Sequence, residues 1–483
     1  MKEILIGRHK ELKDLREWGN SERSEFIVVY GRRRVGKTFL VKQAFKNDFT
    51  FHFSGSYATP RKEQLLRFAL ALREQSGDME CPVPQNWTMA FHYLKKLIEQ
   101  KKRKKKIIFL DELPWLDTPK SGFISALENF WNDWCLWRND IKLVICGSAT
   151  SWIINKVIKN KGGLHNRLTH SIQLQPFDLK ECEEYFKAYG FAFTRMQIAE
   201  CYMTMGGIPY YYSLMNKGES LAENIDHLFF SQNAPLKNEF KELYAALFTN
   251  SQNYISVINA LGKKGLGLTR RQILETSGLA NNGDFSKILE DLELCGFIRA
   301  YLPFEKETGR KNRSTRMKRD TLFQLIDFYT LFYLKFQREH KTYNDRFWSS
   351  MANTPALNSW RGITFEMLCL NHMRQIKRAL GIGDVASEVC SWIGKTNDRK
   401  VQIDMLINRK DQTVNLCEMK FYNRDFTIDK AYAEELQEKV DIFRESTKTH
   451  KAILLTLITT KGLHKNEYSD VVQRLVTLDA LFE

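Results

Sequence analysis

Three apolar runs in the first 150 residues each stop at a glycine or an acid. "FIVVY" at 26–30 ends at Gly31, residues 107–110 end at Asp111 and Glu112, and residues 143–146 end at Gly147 and Ser148. Short continuous apolar runs bounded by such residues predict buried strands. From 268 onward the spacing becomes helical. Leu268 and Thr269 open a first helix with Ile273 and Leu274 inward, and Phe285, Ile288, Leu289 and Leu292 recur on a second that Gly296 stops. In "LFQLIDFYTLFYLKF", Phe328, Phe332 and Phe336 fall four apart, which predicts a helix with a core-facing stripe. Beyond it "GITFEMLCL", "RKVQIDMLINRK" and "VNLCEMKFYN" read as helix, strand and strand.

The loop after the first strand, "GRRRVGKT", has the form G-x-x-x-x-G-K-[ST], the Walker A arrangement. Gly31 and Gly36 let backbone N–H groups wrap an anion, the following helix start adds positive dipole, and Lys37 brings a full charge to the phosphates. Thr38 is the expected hydroxyl ligand of Mg²⁺, and the loop as a whole predicts ATP binding. Asp111 and Glu112 end the next strand as a Walker B pair. Asp111 is expected near the magnesium, and Glu112 is placed to polarise the attacking water. Ser148, at the tip of the third strand, is expected to orient the γ-phosphate or the water.

With "LIGRHKELKDL" upstream and "GGIPYYYSL" downstream, these motifs resemble the prokaryotic STAND-type, or archaeal, branch of the AAA-like ATPases over about the first 240 residues. The resemblance implies that Gly7 and Arg8 pack by the adenine, that Gly207 and Pro209 belong to a helical lid bearing on the nucleotide, and that Ser148 acts as sensor 1. "HNRLTHSIQLQPF" matches the family's arginine followed by a strand and Pro-Phe. It makes Arg167 a candidate arginine finger or sensor arginine, against the alternative of a surface salt bridge.

The chain, at 483 residues, is too long for one core and implies several domains. With 73 Lys and Arg against 57 Asp and Glu, the net charge of +16 favours a polyanionic partner, nucleic acid before membrane. Nine scattered cysteines without a C-x-x-C pair, several of them (Cys146, Cys369, Cys417) in apolar runs, fit a reducing compartment. The N-terminus lacks an apolar signal region and no stretch is long enough to span a membrane, so a cytoplasmic location is expected. "KKRKKK" at 101–106 is either a nucleic-acid patch or a solvated helix end, and the second reading is preferred.

The two helices and strand from 268 to 301 resemble a winged helix. Its wing falls at 305–320, where Lys306, Arg310, Lys311, Arg313, Arg316, Lys318 and Arg319 face only three acids. Phosphate-backbone contact with DNA is one reading of this segment, and an intramolecular or protein contact the other. The second helix carries Lys287 against Glu290, Asp291 and Glu293, which disfavours sequence-specific groove reading and with it a transcriptional regulator.

In the last third, Glu366 lies on the helix, Asp404 in one strand, and Glu418 and Lys420 on one side of the next. Such a set is the minimum for Mg²⁺-assisted phosphodiester hydrolysis, with Asp404 and Glu418 as metal ligands and Lys420 orienting water. It is similar to the PD-(D/E)XK nuclease superfamily, with Asp404, Glu418 and Lys420 on the D…ExK core and Glu366 on the helical acid. Gln437 matches an accessory position of some members, while the proline before the aspartate is absent, Gln402 and Ile403 standing there.

The expectation is therefore an α/β multidomain protein. It comprises a P-loop NTPase parallel sheet (1–165), a helical lid (166–245), a winged helix (246–320), a helical connector (321–350) and a C-terminal α/β restriction-endonuclease-like domain (351–483). ATP and Mg²⁺ are its cofactors, DNA its expected partner through the wing and the C-terminal domain, and a homo-oligomer is allowed. The function expected is an ATPase gating a metal-dependent nuclease. The alternative is a regulatory ATPase whose C-terminal domain is an inactive binding module.

Overall fold

The computed structural model describes residues 4–148, 150–159, 162–164, 166–304, 319–340, 344–395 and 400–483. They divide into two compact units.

The first unit holds residues up to Pro176 together with 208–210 and 242–251. Its strands β1 (Glu25–Tyr30), β2 (Phe51–Ser54), β3 (Lys106–Asp111), β4 (Ile141–Gly147) and β5 (His170–Gln173) form a parallel sheet in the order β2-β3-β4-β1-β5. A parallel sheet is covered on both faces, which is why the central strands β1, β3 and β4 read as apolar runs, whereas the edge strands β2 and β5 alternate buried and exposed positions. Phe26, Val28, Phe51, Ile108, Leu143 and Ile145 share one core with the flanking helices, among them Trp87–Gln100 and Phe123–Asp133. Ligand sites in such sheets form at the carboxyl ends of the strands. Here β3, β4 and β1 are neighbours and bring Asp111, Ser148 and the glycine loop to one edge. The expected core boundary at 165 is moved by β5, which pairs with β1 in register Ile27 to His170.

The run 101–106 lies beyond the end of the helix Trp87–Gln100 and leads into β3, with Lys106 as its first residue, so it is not simply a solvated helix end. Lys105 pairs with Glu22 at 3.0 Å, Lys106 with Asp140 at 2.7 Å, Arg103 with Asp48, and Lys101 donates to the Gln75 carbonyl. These cations fasten the entry of β3.

The second unit begins with the helices Leu179–Ala188 and Arg195–Met205, each opened by a capping box, from Asp178 to Glu181 and from Thr194 to Gln197. After the helix Ser251–Leu261 come β6 (Leu268–Thr269), the helices Arg270–Ser277 and Gly283–Leu294, β7 (Ile298–Tyr301) and β8 (Leu322–Leu325). The three strands form an antiparallel sheet, β6-β8-β7. Thr269 caps its helix as expected, and Phe285, Ile288, Leu289 and Leu292 are buried. β8 corrects the reading of "LFQLIDFYTLFYLKF": its first residues pair with β7, and the helix Phe328–Phe332 begins only after Asp327 caps it. The stripe Phe328, Phe332 and Phe336 is buried. Of the expected wing, Lys306, Arg310, Lys311, Arg313, Arg316 and Lys318 lie outside the described residues; Arg319 is exposed beside Asp320.

The C-terminal segment contains the helix Pro355–Asn371, β9 (Ser387–Lys395), β10 (Lys400–Arg409), β11 (Thr413–Lys420), the helix Lys430–Thr447, β12 (Ala452–Thr459) and β13 (Arg474–Thr477). Its sheet, β13-β12-β11-β10-β9, is antiparallel from β9 to β11 and parallel from β11 to β13. The helix Lys430–Thr447 is the crossover that a parallel pair requires. Among the described residues no helix is long and apolar enough to cross a membrane, and all nine cysteines are free.

Candidate functional sites

In the first unit the loop after β1 turns under two constraints. Gly31 has φ of 144°, and a Cβ there would lie 2.2 Å from the Leu174 carbonyl oxygen; Gly36 has φ of 91°. Both values favour glycine. The helix Lys37–Ala44 follows directly, placing Lys37 and Thr38 in its first turn.

A continuous hydrogen-bond chain joins the expected residues. Lys37 Nζ, buried, donates to the Arg32 carbonyl and to Ser148 Oγ, each at 2.9 Å. Ser148 Oγ donates to Glu112 Oε1 at 2.6 Å, and the Ser148 N–H reaches Glu112 Oε2 at 3.2 Å. Thr38 Oγ1 donates to Asp111 Oδ2 at 2.7 Å, while the Glu112 N–H donates to Asp111 Oδ1. Glu112 adopts φ of 45°, a left-handed conformation costing about 1–2 kcal/mol in a non-glycine residue. This turn carries the carboxylate toward the end of β4. The Thr38 hydroxyl and Asp111 carboxylate are thus oxygen donors side by side, the ligand chemistry that suits Mg²⁺.

Gly7 and Arg8 both lie in the left-handed region before the helix His9–Asn20, and the Arg8 guanidinium donates to the Gln175 carbonyl. Arg34 of the loop stacks on Tyr210, 4.3 Å from the ring centroid, and Pro209 is half-buried beside that tyrosine in sequence. Sequence reasoning did not single out Arg34; three successive arginines inside a phosphate loop were the available signal. Two expected residues find other surroundings. Arg167 is exposed, with no contact to Lys37, Ser148 or Glu112 among the described residues. Gly207 lies in the second unit, where a Cβ would meet the Phe177 carbonyl at 1.9 Å and its own carbonyl accepts from the Phe177 N–H. Close backbone approach accounts for that glycine.

The second site is built on the mixed sheet. β10 shifts register between Ile403 and Leu406, so Asp404 sits at an irregularity of the kind that re-aims a side chain. It stands one residue beyond the pair Met405 and Cys417, as does Glu418 on the facing strand. Glu418 and Lys420 share a side and pair at 3.1 Å. Glu418 also accepts from Tyr432 at 2.8 Å and Lys439 at 3.3 Å. Both donors come from the helix Lys430–Thr447, where a spacing of seven puts them on one face.

Gln437 is the correction here. It is exposed and bonds Asp441, on the other side of the helix from Lys439. Tyr432 and Lys439 are the residues that sequence reasoning missed, and their shared helical face was the legible signal.

Burial raises the Glu366 carboxyl to about 8, with Asp404 and Glu418 adding like-charge repulsion. Asp404 is raised as well, by burial and then by Glu418. Burial would also raise Glu418, but Lys439 and Lys420 outweigh it and hold this acid below its usual range. Among the described residues no group of three or more His, Cys, Asp or Glu is close enough to hold a metal ion. Asp404 and Glu418 are two carboxylates on neighbouring strands, and Glu418 is already engaged by Lys420, Lys439 and Tyr432.

Residues 5–215 match the family model described as an ATPase domain predominantly from Archaea. An uncharacterized protein of Methanocaldococcus jannaschii is 30% identical over 208 residues, 43% of this chain and 43% of that relative, so the match spans less than half the relative's length. An uncharacterized ATP-binding protein of the same organism is 41% identical over 44 residues, 9% of this chain and 75% of that protein. Among solved structures, the Walker-type ATPase of Pyrococcus abyssi is similar with a TM-score of 0.48 and 15% identity, covering 68% of this chain and 96% of that one. The N-terminal part of the chain thus carries an ATP-binding ATPase domain, similar to those found predominantly in Archaea.

Proposed function

We propose that this chain is a cytoplasmic, Mg-ATP-hydrolysing STAND-like ATPase whose nucleotide state gates a C-terminal metal-dependent nuclease acting on DNA. The observation that carries this reading is the helix Pro355–Asn371. Arg361 on it pairs with Glu200 of the lid helix Arg195–Met205 at 2.8 Å, and Glu366 lies five residues further along, about 7.5 Å by helical rise. The buried His372, just past its end, accepts from the Leu179 N–H at the start of the other lid helix. A displacement of the lid helices therefore reaches the helix that carries a site acid.

In the ATPase site, Lys37 and the backbone of the glycine loop would bind the phosphates, and Thr38 and Asp111 would hold Mg²⁺, whose contribution is to neutralise charge on the phosphates. Glu112 takes the proton of the attacking water once Ser148 releases its carboxylate. In the nuclease site, Asp404 and Glu418 would hold a divalent cation, whose contribution is to acidify a water. Lys420 orients that water, and Tyr432 and Lys439 keep Glu418 ionised. The winged-helix reading of 246–320 is supported by the three helices and the β6-β8-β7 sheet, with the boundary extended to β8.

The test is cleavage of linear, circular and single-stranded DNA with Mg²⁺ or Mn²⁺, with and without ATP, by wild type and Asp404→Ala. Cutting that needs Asp404 and responds to ATP is expected; cutting by the mutant at the wild-type rate would remove the assignment. The regulatory alternative is favoured by one observation, the capture of Glu418 by three donors, which would suit an inactive module. It predicts no cutting and a nucleotide-dependent change in oligomeric state.

A further inference from the structure

Glu366 and Asp404 open into a cleft of about 590 Å³ whose opposite wall belongs to the three-stranded sheet. That wall is the loop 264–267, between the helix Ser251–Leu261 and β6, with Gln272 of the next helix. It is fastened to its surroundings. Tyr301 Oη donates to the Leu266 carbonyl at 2.6 Å, Gln324 Nε2 donates to the Gly265 carbonyl, and Ser391 Oγ of β9 reaches Tyr301 Oη at 3.3 Å. The Phe304 N–H donates to the Ser391 carbonyl at 2.7 Å, a second tie to β9. The carboxylates and the facing loop are therefore held as one concavity.

The lining is mixed in a telling way. Ile363 and Ile393 stand at its rim with 46% and 40% of their surfaces exposed. Gln272 spends its Oε1 on the Thr269 capping box, and its Nε2 has no partner among the described residues. Gln402 spends its Nε2 on Asp404, and its Oε1 has no partner among them. Lys264 adds an exposed cation. One amide donor, one amide acceptor and two apolar faces are what a nucleobase uses when it leaves the stack. A cation is what its phosphate uses.

A cavity of this volume takes a ligand of about the size of one nucleotide. We infer that the cleft admits an unpaired nucleotide, so that the substrate of this site is a single-stranded end or flap. The inference rests on the nuclease reading above for the fate of that nucleotide, though not for its binding. Hydrolysis there would join the water oxygen to phosphorus and break one P–O ester bond, the water proton passing to the departing alkoxide.

The experiment compares affinities of the full chain carrying Asp404→Asn, with Mg²⁺, for a duplex bearing a single-stranded arm and a blunt duplex of the same sequence. A 2-aminopurine at the arm terminus reports unstacking. The armed duplex is expected to bind at least roughly tenfold tighter, and adding Ile363→Glu or Ile393→Glu, both exposed positions, to abolish that preference. Equal affinity, or a preference that both substitutions leave intact, would overturn the proposal. Cutting by the wild-type chain is scored separately. A preference for the arm without cutting removes the nuclease and keeps the cleft, whereas cutting of blunt duplex as fast as armed removes the cleft's role.

Discussion

The two sites handle charge in opposite ways. Around the glycine loop every acid has a partner from this chain: Glu112 is satisfied by Ser148, Asp111 by Thr38 and the Glu112 N–H, and Lys37 by Ser148 and Arg32. In the C-terminal segment Glu418 is paired with lysines, Asp404 accepts only an amide bond from Gln402 among the described residues, and Glu366 and Asp404 repel one another in a half-buried cleft. A network that closes on itself must be opened by its ligand. A cluster short of positive charge must be completed by one. The first arrangement suits a switch that rests between turnovers, and the second a cation site.

The largest effect that would break this comparison lies at Glu112. Glu112→Gln keeps the bonds to Ser148 possible but removes the proton acceptor, and ATP turnover is expected to fall roughly 10²- to 10⁴-fold with nucleotide binding retained; unchanged turnover would move the base elsewhere. Lys37→Ala removes a charged donor worth about 1.5–3 kcal/mol, roughly 10- to 150-fold in ATP affinity by calorimetry. Equal affinity would take phosphate binding away from this loop.

Next comes the tie between the helices Arg195–Met205 and Pro355–Asn371. Glu200 is raised by burial and opposed by Arg361, so Arg361→Met strands a half-buried carboxylate and is expected to cost about 1–3 kcal/mol of stability in denaturant titration. Adding Glu200→Gln should recover most of it. A double mutant as unstable as the single one would mean that packing, and not charge, joins these helices.

For Glu366 the pH sign is definite. Its folded value near 8 lies above the unfolded 4.5, so its contribution is full below pH 4.5 and is lost as pH rises toward 8. Thermal midpoints should fall less steeply over that window in Glu366→Gln, and Mg²⁺ or Mn²⁺ should bind with proton release that the mutation reduces. Identical profiles would show that Glu366 does not titrate there. The smallest contrast is on the crossover helix. Lys439→Met should raise the Glu418 carboxyl and weaken divalent-cation binding, while Gln437→Ala, exposed, should change stability by no more than about 0.5 kcal/mol.

The nucleotide site was legible because its residues are local. The glycine spacing, the strand before it and the two acids ending β3 lie in short segments where period and motif coincide. Helix capping was equally readable, Thr269 standing where an N-cap was expected. What failed was long-range. The pairing of β8 with β7 crosses a 20-residue separation, and no apolar period distinguishes "LFQL" as strand from the first turn of the helix after it. Gln437 and Lys439 are two residues apart on a helix, and only the side that packs on β11 decides which meets Glu418. Gly207 is expected at the nucleotide only through the family resemblance, and the sequence does not show that its backbone closes on Phe177.

Residue order alone determined the core chemistry of the three apolar strands, the phosphate loop and the positions of the acids, since each depends on neighbours a few positions away. Tertiary structure decided which acids share a cleft, which stay ionised and what faces them. Those outcomes depend on distance and burial, and residues as far apart in sequence as Glu200 and Arg361 acquire both only when the helices pack.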